Sequence, residues 1–379
     1  MENFDAYNPT RLHFGKGVIS GLGKIISQYG SKILLVYGKG SIRKNGIYDE
    51  VMKALEPAKA EIIEFSGIKS NPLVDDVDKA TALGIEKNID IVLAVGGGSV
   101  IDSAKIISLC IHGKHRGWDV MKNKVDIKGS IPLIGILTLA ATGTEMNPVA
   151  VLQNQDTKEK IGYRNQHAYP SHSFLDPSFT ISVPRDYTAY GAVDLVAHCL
   201  EIYYGAGDCP LSDRLIEGII KEGMEAGPLL LKDLSNYDLR ARIMWAATNA
   251  LNGLTAYGKE SGDWGVHAIG HVLSLLYDVP HGASLSIAYP AWLKLHLDRI
   301  PDRIAKMGNQ VFGHSDAERA IADLEAFFYQ MGSPVKLSEY GIGSEKHPEI
   351  LKIMNQNKIS GMAHELTKDD HVRLISLME

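Results

Sequence analysis

Residues 90–102, DIVLAVGGGSVID, join a predicted buried strand directly to a predicted helix. The strand is the apolar run at 90–95, and the helix is expected from about Val100 to Cys110. Between them, Gly96-Gly97-Gly98-Ser99 lets backbone N–H groups approach a phosphate, and the start of the helix adds a favourable dipole. A tight strand–helix turn capped by Asp102 is the alternative. The turn lacks the G-x-G-x-x-G pattern, but its glycines favour phosphate binding.

Strand and helix alternate on both sides of this junction. Apolar runs at 31–37, 60–65 and 131–137 predict strands, and periodic patterns at 47–55 and 73–87 predict helices. Such alternation is typical of a parallel sheet covered by helices on both faces. After about Pro184 only helical patterns follow, at 186–204, 214–232, 238–255, 263–277, 283–297 and 315–331. We therefore expect an α/β dinucleotide-binding domain over residues 1–180 and an all-α domain, which binds metal and substrate, over residues 181–379.

A second glycine turn, Gly38-Lys39-Gly40-Ser41, follows the first buried strand. Two such turns at the ends of parallel strands suit a dinucleotide, which has two separated polar ends. An enzyme that prefers NAD usually has a carboxylate here to bind ribose hydroxyls, and this turn has none. Lys39 and the backbone N–H groups of Gly40 and Ser41 would instead attract the 2′-phosphate of NADP. The turn predicts a preference for NADPH over NADH; the alternative is a solvated turn whose lysine touches nothing.

Hydroxyl side chains follow the strand at 131–137, at Thr138, Thr142 and Thr144. They are candidates to bond to ribose or amide groups of a cofactor, and a threonine-rich turn without a ligand is the alternative. Lys160 lies shortly beyond, and a solvated surface lysine is its alternative role. We expect His167 and His172 to lie in a loop, at the surface or in hydrogen bonds.

Two stretches of the helical half carry residues that bind metals. In residues 262–282, GDWGVHAIGHVLSLLYDVPHG, His267 and His271 are four apart and share a helix face, and His281 follows a proline. Asp194 and His198, in GAVDLVAHCLE, are also four apart on an apolar helix. Buried aspartate and histidine are costly unless they are paired, hydrogen-bonded or bound to metal. The two stretches therefore suggest one shared divalent-metal site, the alternative being hydrogen-bonded core histidines.

Composition narrows the classes of function. The chain has 379 residues, 45% of them apolar, and a net charge of −6 that gives no electrostatic basis for nucleic-acid binding. Three cysteines without a pattern fit a reducing compartment. The first residues lack the apolar core of a signal peptide, and no apolar run is long enough to span a membrane. We expect a cytoplasmic protein with no membrane or nucleic-acid partner.

Several of these motifs together resemble the iron-containing, or group III, alcohol dehydrogenases. They are GGGSVID at 96–102, TGTE at 142–145, DLVAH at 194–198, HAIGHVLS at 267–274 and VPHG at 279–282. The likeness extends over the whole chain and is greatest to the butanol dehydrogenase branch of broad-substrate, NADPH-dependent aldehyde reductases. It implies the dehydroquinate synthase-like fold of that family and pairing of two chains through the N-terminal strand into a homodimer.

The resemblance also implies roles for individual residues. The metal, Fe or Zn, would be bound by Asp194, His198, His267 and His281. Asn71 would approach the adenosine side of the cofactor. The pyrophosphate would contact Gly97, Gly98, Ser99 and Asp102, and Thr138, Thr142 and Lys160 would lie toward the nicotinamide. The turn Gly38-Lys39-Gly40-Ser41, described above, adds the candidates for contact with the 2′-phosphate. His271 would lie near the nicotinamide and substrate as a catalytic residue. The turn departs from the family pattern PTTAGTGSE, since Leu139 replaces a threonine, Ala141 a glycine and Thr144 a serine.

The expected reaction is hydride transfer between NADP(H) and a primary alcohol or aldehyde such as butanol or butyraldehyde. A metal ion would polarise the carbonyl oxygen, and His271 is a candidate proton relay because imidazole titrates near neutral pH. Two alternatives remain open. One is an NAD-dependent polyol dehydrogenase or a synthase on the same fold, and the other is a non-catalytic metal- or nucleotide-binding protein. The apolar neighbourhood of the metal motifs disfavours a synthase, which binds a polyanionic substrate.

Overall fold

The computed structural model describes all residues from 1 to 379. Its eight strands are β1 (Arg11–Phe14), β2 (Lys32–Gly38), β3 (Glu61–Ile68), β4 (Ile91–Gly96), β5 (Leu133–Leu137), β6 (Val149–Asn154), β7 (Glu159–Arg164) and β8 (His172–Leu175). The helices of the first half are α1 (Leu22–Ile26), α2 (Ser41–Lys44), α3 (Ile47–Leu55), α4 (Val74–Lys87), α5 (Gly98–Gly113) and α6 (Gly117–Met121). Those of the second half are α7 (Arg185–Tyr203), α8 (Pro210–Lys232), α9 (Tyr237–Ala250), α10 (Gly265–Tyr277), α11 (His281–His296), α12 (Pro301–Met307), α13 (Ala317–Met331), α14 (His347–Gln356) and α15 (Lys368–Leu377).

Six strands form one parallel sheet in the order β1-β8-β5-β4-β2-β3. Strand β4 lies inside the sheet between β5 and β2, so the glycine turn that follows it opens at the carboxyl edge of the central strands. That edge is where ligands bind in open parallel sheets.

Both faces of this sheet are buried, as the sequence predicts. In β4, Val92 and Ala94 pack into one apolar core, whereas Leu93 and Val95 pack into a second core on the other face. Because successive strand residues point to opposite faces, the uninterrupted apolar runs of β2 and β4 require helices on both sides. The predicted α/β fold class is confirmed, and the second half of the chain is helical as expected.

The chain divides into two compact units. One comprises residues 7–183 with 235–244 and contains the sheet. The other comprises residues 1–6, 184–234 and 245–379. In this helical unit, α11 packs against α7, α10, α13 and α15, and α7 packs against α8. None of the helices combines the length and the apolar character that a membrane-spanning segment needs.

The structure adds strands that the sequence analysis did not predict. Strands β6 and β7 form an antiparallel hairpin, and β8 inserts between β1 and β5. The expectation that His172 lies in a loop is wrong, because it is a buried residue of β8. Its ring nitrogens are 3.0 Å from His13 Nε2 and 2.9 Å from the Tyr29 hydroxyl. Only two of the four residues in HSFL are apolar, so the segment has no run or alternation that would predict a strand.

Candidate metal centre and cofactor site

Helix α7 presents Asp194 and His198 on one buried face. The two side chains are 3% and 5% exposed, and Asp194 Oδ1 is 3.6 Å from His198 Nδ1. Their spacing of one helical turn accounts for the shared direction. Burial lowers the pKa of His198 well below its ordinary value, and the nearby His267 lowers it further. His198 is therefore a neutral imidazole, the form in which histidine binds metals.

Helices α10 and α11 bring two more imidazoles to the same carboxylate. His267 Nε2 lies 3.9 Å from Asp194 Oδ1, and His281 Nε2 lies 3.7 Å from it. Ligand atoms of Asp194, His267 and His281 all lie within 4.8 Å of one another. His198 is not part of that group of three, although its ring stacks on His267 with centroids 4.8 Å apart.

These distances fit a shared cation better than direct hydrogen bonds. Hydrogen bonds that join nitrogen and oxygen are about 2.7–3.2 Å long, so separations of 3.6–3.9 Å are too great for them. Atoms that each bind one tetrahedral ion at about 2.1 Å stand about 3.4 Å apart. The distances from Asp194 Oδ1 to the three imidazoles exceed this value by only a few tenths of an ångström. One carboxylate with imidazoles is a donor set that suits Zn or Fe.

Glu201, which the sequence analysis did not select, lies behind His267. Its Oε1 accepts a hydrogen bond from the backbone N of His267 at 2.9 Å and lies 2.7 Å from Nδ1 of the same residue, and its Oε2 accepts one from the backbone N of Trp264 at 2.6 Å. Burial raises the pKa of Glu201 to about 8. Hydrogen bonds from the backbone N–H groups of His267, Trp264 and Val266 oppose this effect, because they lower the pKa. A cation bound to His267 would favour the ionised carboxylate.

A close backbone contact sets the position of His281. The next residue, Gly282, packs so tightly on α7 that a Cβ atom there would lie 2.2 Å from the carbonyl oxygen of Tyr190. Tyr190 is one helical turn before Asp194. Glycine at 282 thus allows the start of α11 to approach the helix that carries the carboxylate.

The start of α10 is fixed by an unusual backbone and a second carboxylate. Trp264, which precedes the helix, has φ +64°, in the left-handed region that few non-glycine residues adopt. Asp263 Oδ1 accepts hydrogen bonds from the backbone N of Ala363 and of His364, and its Oδ2 accepts one from Gly265 N. The segment at 363–364 therefore anchors the turn that leads to His267.

His271 lies one turn beyond His267 and stands beside the predicted ligands. Its ring is 5.5 Å from that of His281, centroid to centroid, and its side chain is partly buried. It is absent from the group of converging ligand atoms. This position agrees with a role next to the metal, which stays a prediction.

In the other unit, the predicted phosphate turn is closely packed. Gly97 precedes α5, and a Cβ on Gly98 would lie 2.7 Å from Thr142 Oγ1, so a larger residue at 98 would force the Thr142 side chain to move. The Ser99 hydroxyl donates to the carbonyl of Ser70. Next to it in sequence, Asn71 Oδ1 accepts a hydrogen bond from Lys160 Nζ at 2.8 Å. The structure thus connects residues predicted from four separate stretches.

Asp102 and Thr144 belong to a buried network that includes Lys105, which the sequence analysis missed. Thr144 Oγ1 donates to Asp102 Oδ1 at 2.5 Å and accepts from Lys105 Nζ at 2.6 Å. Asp102 Oδ2 also accepts from the backbone N of Val151 at 2.9 Å. Burial raises the pKa of Asp102 and lowers that of Lys105 to about 8. These contacts hold the turn that carries Thr142, while the predicted cofactor contact of Asp102 stays a prediction.

The turn after β2 leaves Lys39 exposed, and Gly40 has φ +113°. Ser41 starts α2 and is exposed as well. Arg43 is engaged elsewhere, since its Nη2 lies 2.5 Å from Glu64 Oε2 and 2.9 Å from the Tyr37 hydroxyl. Lys39 makes no such contact and is exposed, and Lys44 at the end of α2 is exposed as well. Thr138, at the end of β5, donates its backbone N–H to the carbonyl of Gly96 at 3.0 Å.

Two family models match consecutive parts of the chain. Residues 9–177 match the model described as iron-containing alcohol dehydrogenase, and residues 188–377 match that of the C-terminal part of the Fe-containing alcohol dehydrogenase family.

Similar proteins span the whole length. A probable NADH-dependent butanol dehydrogenase of Bacillus subtilis is 39% identical over 99% of both chains. The NADPH-dependent aldehyde reductase YqhD of Escherichia coli is 36% identical over 97% of both. The crystal structure of an NADH-dependent butanol dehydrogenase from Thermotoga maritima superposes with a TM-score of 0.96 at 36% identity, covering 100% of this chain and 99% of that one.

Proposed function

Because the chain belongs to the iron-containing alcohol dehydrogenase family, we propose that it interconverts primary alcohols and aldehydes with a nicotinamide cofactor. In the reducing direction an aldehyde, NAD(P)H and one proton give the primary alcohol and NAD(P)+. Aliphatic substrates such as butyraldehyde and butanol are the proposed class, since similar proteins are named as butanol dehydrogenases and an aldehyde reductase.

The observation that carries this proposal is the convergence of Asp194, His267 and His281. Three ligand atoms from three helices lie within 4.8 Å of one another. We assign His198 as the fourth ligand from its contact with Asp194. A divalent ion held there would supply Lewis-acid polarisation of the substrate oxygen. Fe and Zn both suit this donor set.

The chain's own residues would orient the reactants and manage the proton. Asn71, Gly97, Gly98, Ser99, Thr138, Thr142 and Lys160 are proposed to hold the cofactor, which supplies the hydride. The alkoxide formed from the aldehyde needs a proton, and His271 is the proposed relay because its ring stands beside His281.

We further propose a preference for NADPH, supported by the charge of the turn after β2. Lys39 is exposed and Gly38-Lys39-Gly40-Ser41 contains no carboxylate that would repel a 2′-phosphate. Similar proteins include both NADH- and NADPH-dependent enzymes, so family membership alone leaves the choice open.

One experiment tests activity and metal together. The purified protein is analysed for bound metals and assayed with a series of aldehydes, glycerol and both cofactors. We expect about one Fe or Zn per chain and faster oxidation of NADPH with butyraldehyde than reduction of NAD with glycerol. Higher turnover of glycerol with NAD would favour the polyol dehydrogenase alternative, and absence of turnover would favour a binding protein.

A further inference from the structure

Glu201 is placed to control the metal ligand His267 from behind. We propose that Glu201 is a positioning residue that fixes the tautomer and ring orientation of His267, so that Nε2 faces the metal. The inference rests on the proposed function, because it assigns a role in the same metal centre. Glu201 lies on α7, seven residues after Asp194, and its side chain is 1% exposed.

The contact with Glu201 determines which nitrogen of the His267 imidazole carries the proton. Both oxygens of Glu201 accept backbone N–H groups, and Oε1 is 2.7 Å from His267 Nδ1, so we assign Nδ1 as the donor of this hydrogen bond and place the proton there. Neutral imidazole then has its lone pair on Nε2, the atom that lies 3.9 Å from Asp194 Oδ1. A carboxylate behind a metal-bound histidine also makes the imidazole a stronger base.

The same carboxylate also holds the backbone at the start of α10. The same Oε1 accepts the backbone N–H of His267, and Oε2 accepts that of Trp264. These N–H groups belong to the first turn of α10, where a helix has no partners for them and where negative charge is favourable. One carboxylate therefore holds both the ring of His267 and the helix start that carries it. The two functions come from one side chain on α7, the helix that also bears Asp194.

A merely structural role would have a different signature. A carboxylate that only capped α10 would contribute to stability without affecting the metal affinity of the folded protein. A carboxylate that orients His267 would affect that affinity directly, because outer partners of metal-bound histidines typically change it by about 10–100-fold.

The test compares Zn2+ affinity of the full-length protein and two variants by competition with a chromophoric chelator. Glu201→Gln keeps the size of the side chain but removes its charge and places an N–H donor against a backbone N–H. Glu217→Gln is the matched control, since Glu217 is also a buried glutamate of the helical unit, on α8 near the Tyr203 hydroxyl. We expect Glu201→Gln to lose Zn2+ affinity by about tenfold or more. Glu217→Gln should bind Zn2+ with wild-type affinity.

A measurement on the wild-type protein does not depend on how the variants fold. Zn2+-loaded protein with 15N-labelled histidine is examined by NMR, and the His267 signals are assigned by their loss in His267→Gln. We expect a proton on Nδ1 and zinc on Nε2. A proton on Nε2 with zinc on Nδ1 would overturn the proposal.

The outcomes separate this inference from the proposed function. If the wild type binds Zn2+ through His267 but Glu201→Gln binds it equally well, the role of Glu201 is wrong and the metal site stands. If neither the wild type nor His267→Gln shows specific Zn2+ binding, the metal site falls and the role of Glu201 with it.

Discussion

Gly282 and Tyr190 are in such close backbone contact that the former admits no side chain: a Cβ atom would lie 2.2 Å from the carbonyl oxygen of Tyr190. The backbone at Gly282 has no left-handed φ, so the contact itself and not the conformation demands glycine. Through this contact the start of α11, with His281, lies against the helix that bears Asp194.

Gly282→Ala should therefore displace His281 and weaken metal binding. A backbone oxygen cannot move aside as a flexible side chain can, so we expect at least about a tenfold loss of Zn2+ affinity, comparable with the loss of a supporting contact. The matched control is Gly218→Ala on α8, where a Cβ would meet nothing within 4 Å. That change should leave affinity intact and add up to about 1 kcal/mol of stability. Equal affinities of the two variants would contradict this account of Gly282.

Substitutions of His267 and His271 should separate the loss of metal binding from the loss of proton transfer. We expect His267→Ala to lose bound metal and nearly all turnover while it stays folded. His271→Ala should keep the metal and lose rate, by about 10²–10⁴-fold if it acts as a general acid. The metal content and the pH dependence of kcat, measured for both variants, distinguish these two effects. Loss of metal from His271→Ala with unchanged cofactor affinity would make His271 a ligand instead.

Lys39→Asp should reverse or abolish the preference for NADPH. A carboxylate would repel the 2′-phosphate that Lys39 is proposed to attract, and could bind the ribose hydroxyls of NADH. The measurement is the ratio of kcat/KM for the two cofactors, with Lys53→Asp on the exposed side of α3 as a charge-matched control. A wild-type ratio in favour of NADH would show that the predicted preference is wrong.

Thr144 offers a pair of substitutions that isolate its hydroxyl. Thr144→Val leaves Asp102 and Lys105 without the oxygen that joins them, and loss of a buried hydrogen-bond partner costs about 1–3 kcal/mol. Thr144→Ser keeps the oxygen and should cost much less. Chemical denaturation of the two variants measures the difference in their unfolding free energies. Equal unfolding free energies would contradict the proposed role of this hydroxyl.

The sequence was informative wherever a local pattern carried the signal. The strand–glycine–helix junction at Gly97 predicted α5, and the i, i+4 pairing of Asp194 with His198 predicted a shared buried face. Contacts between distant parts of the chain could not be predicted from such local patterns. Glu201 meets His267 across 66 residues, and Lys105 meets Thr144 across 39. A buried charged residue in an apolar helix was the available signal for both.

Whether Asp194, His267 and His281 bind one metal ion is tested most directly by X-ray diffraction from crystals of the metal-loaded protein, with data collected on both sides of the Zn or Fe absorption edge. We expect one anomalous peak per chain in the helical unit, about 2.0–2.2 Å from Asp194 Oδ1, His267 Nε2 and His281 Nε2. A peak away from these atoms, or the same three side chains hydrogen-bonded to one another without an ion in metal-loaded crystals, would contradict it.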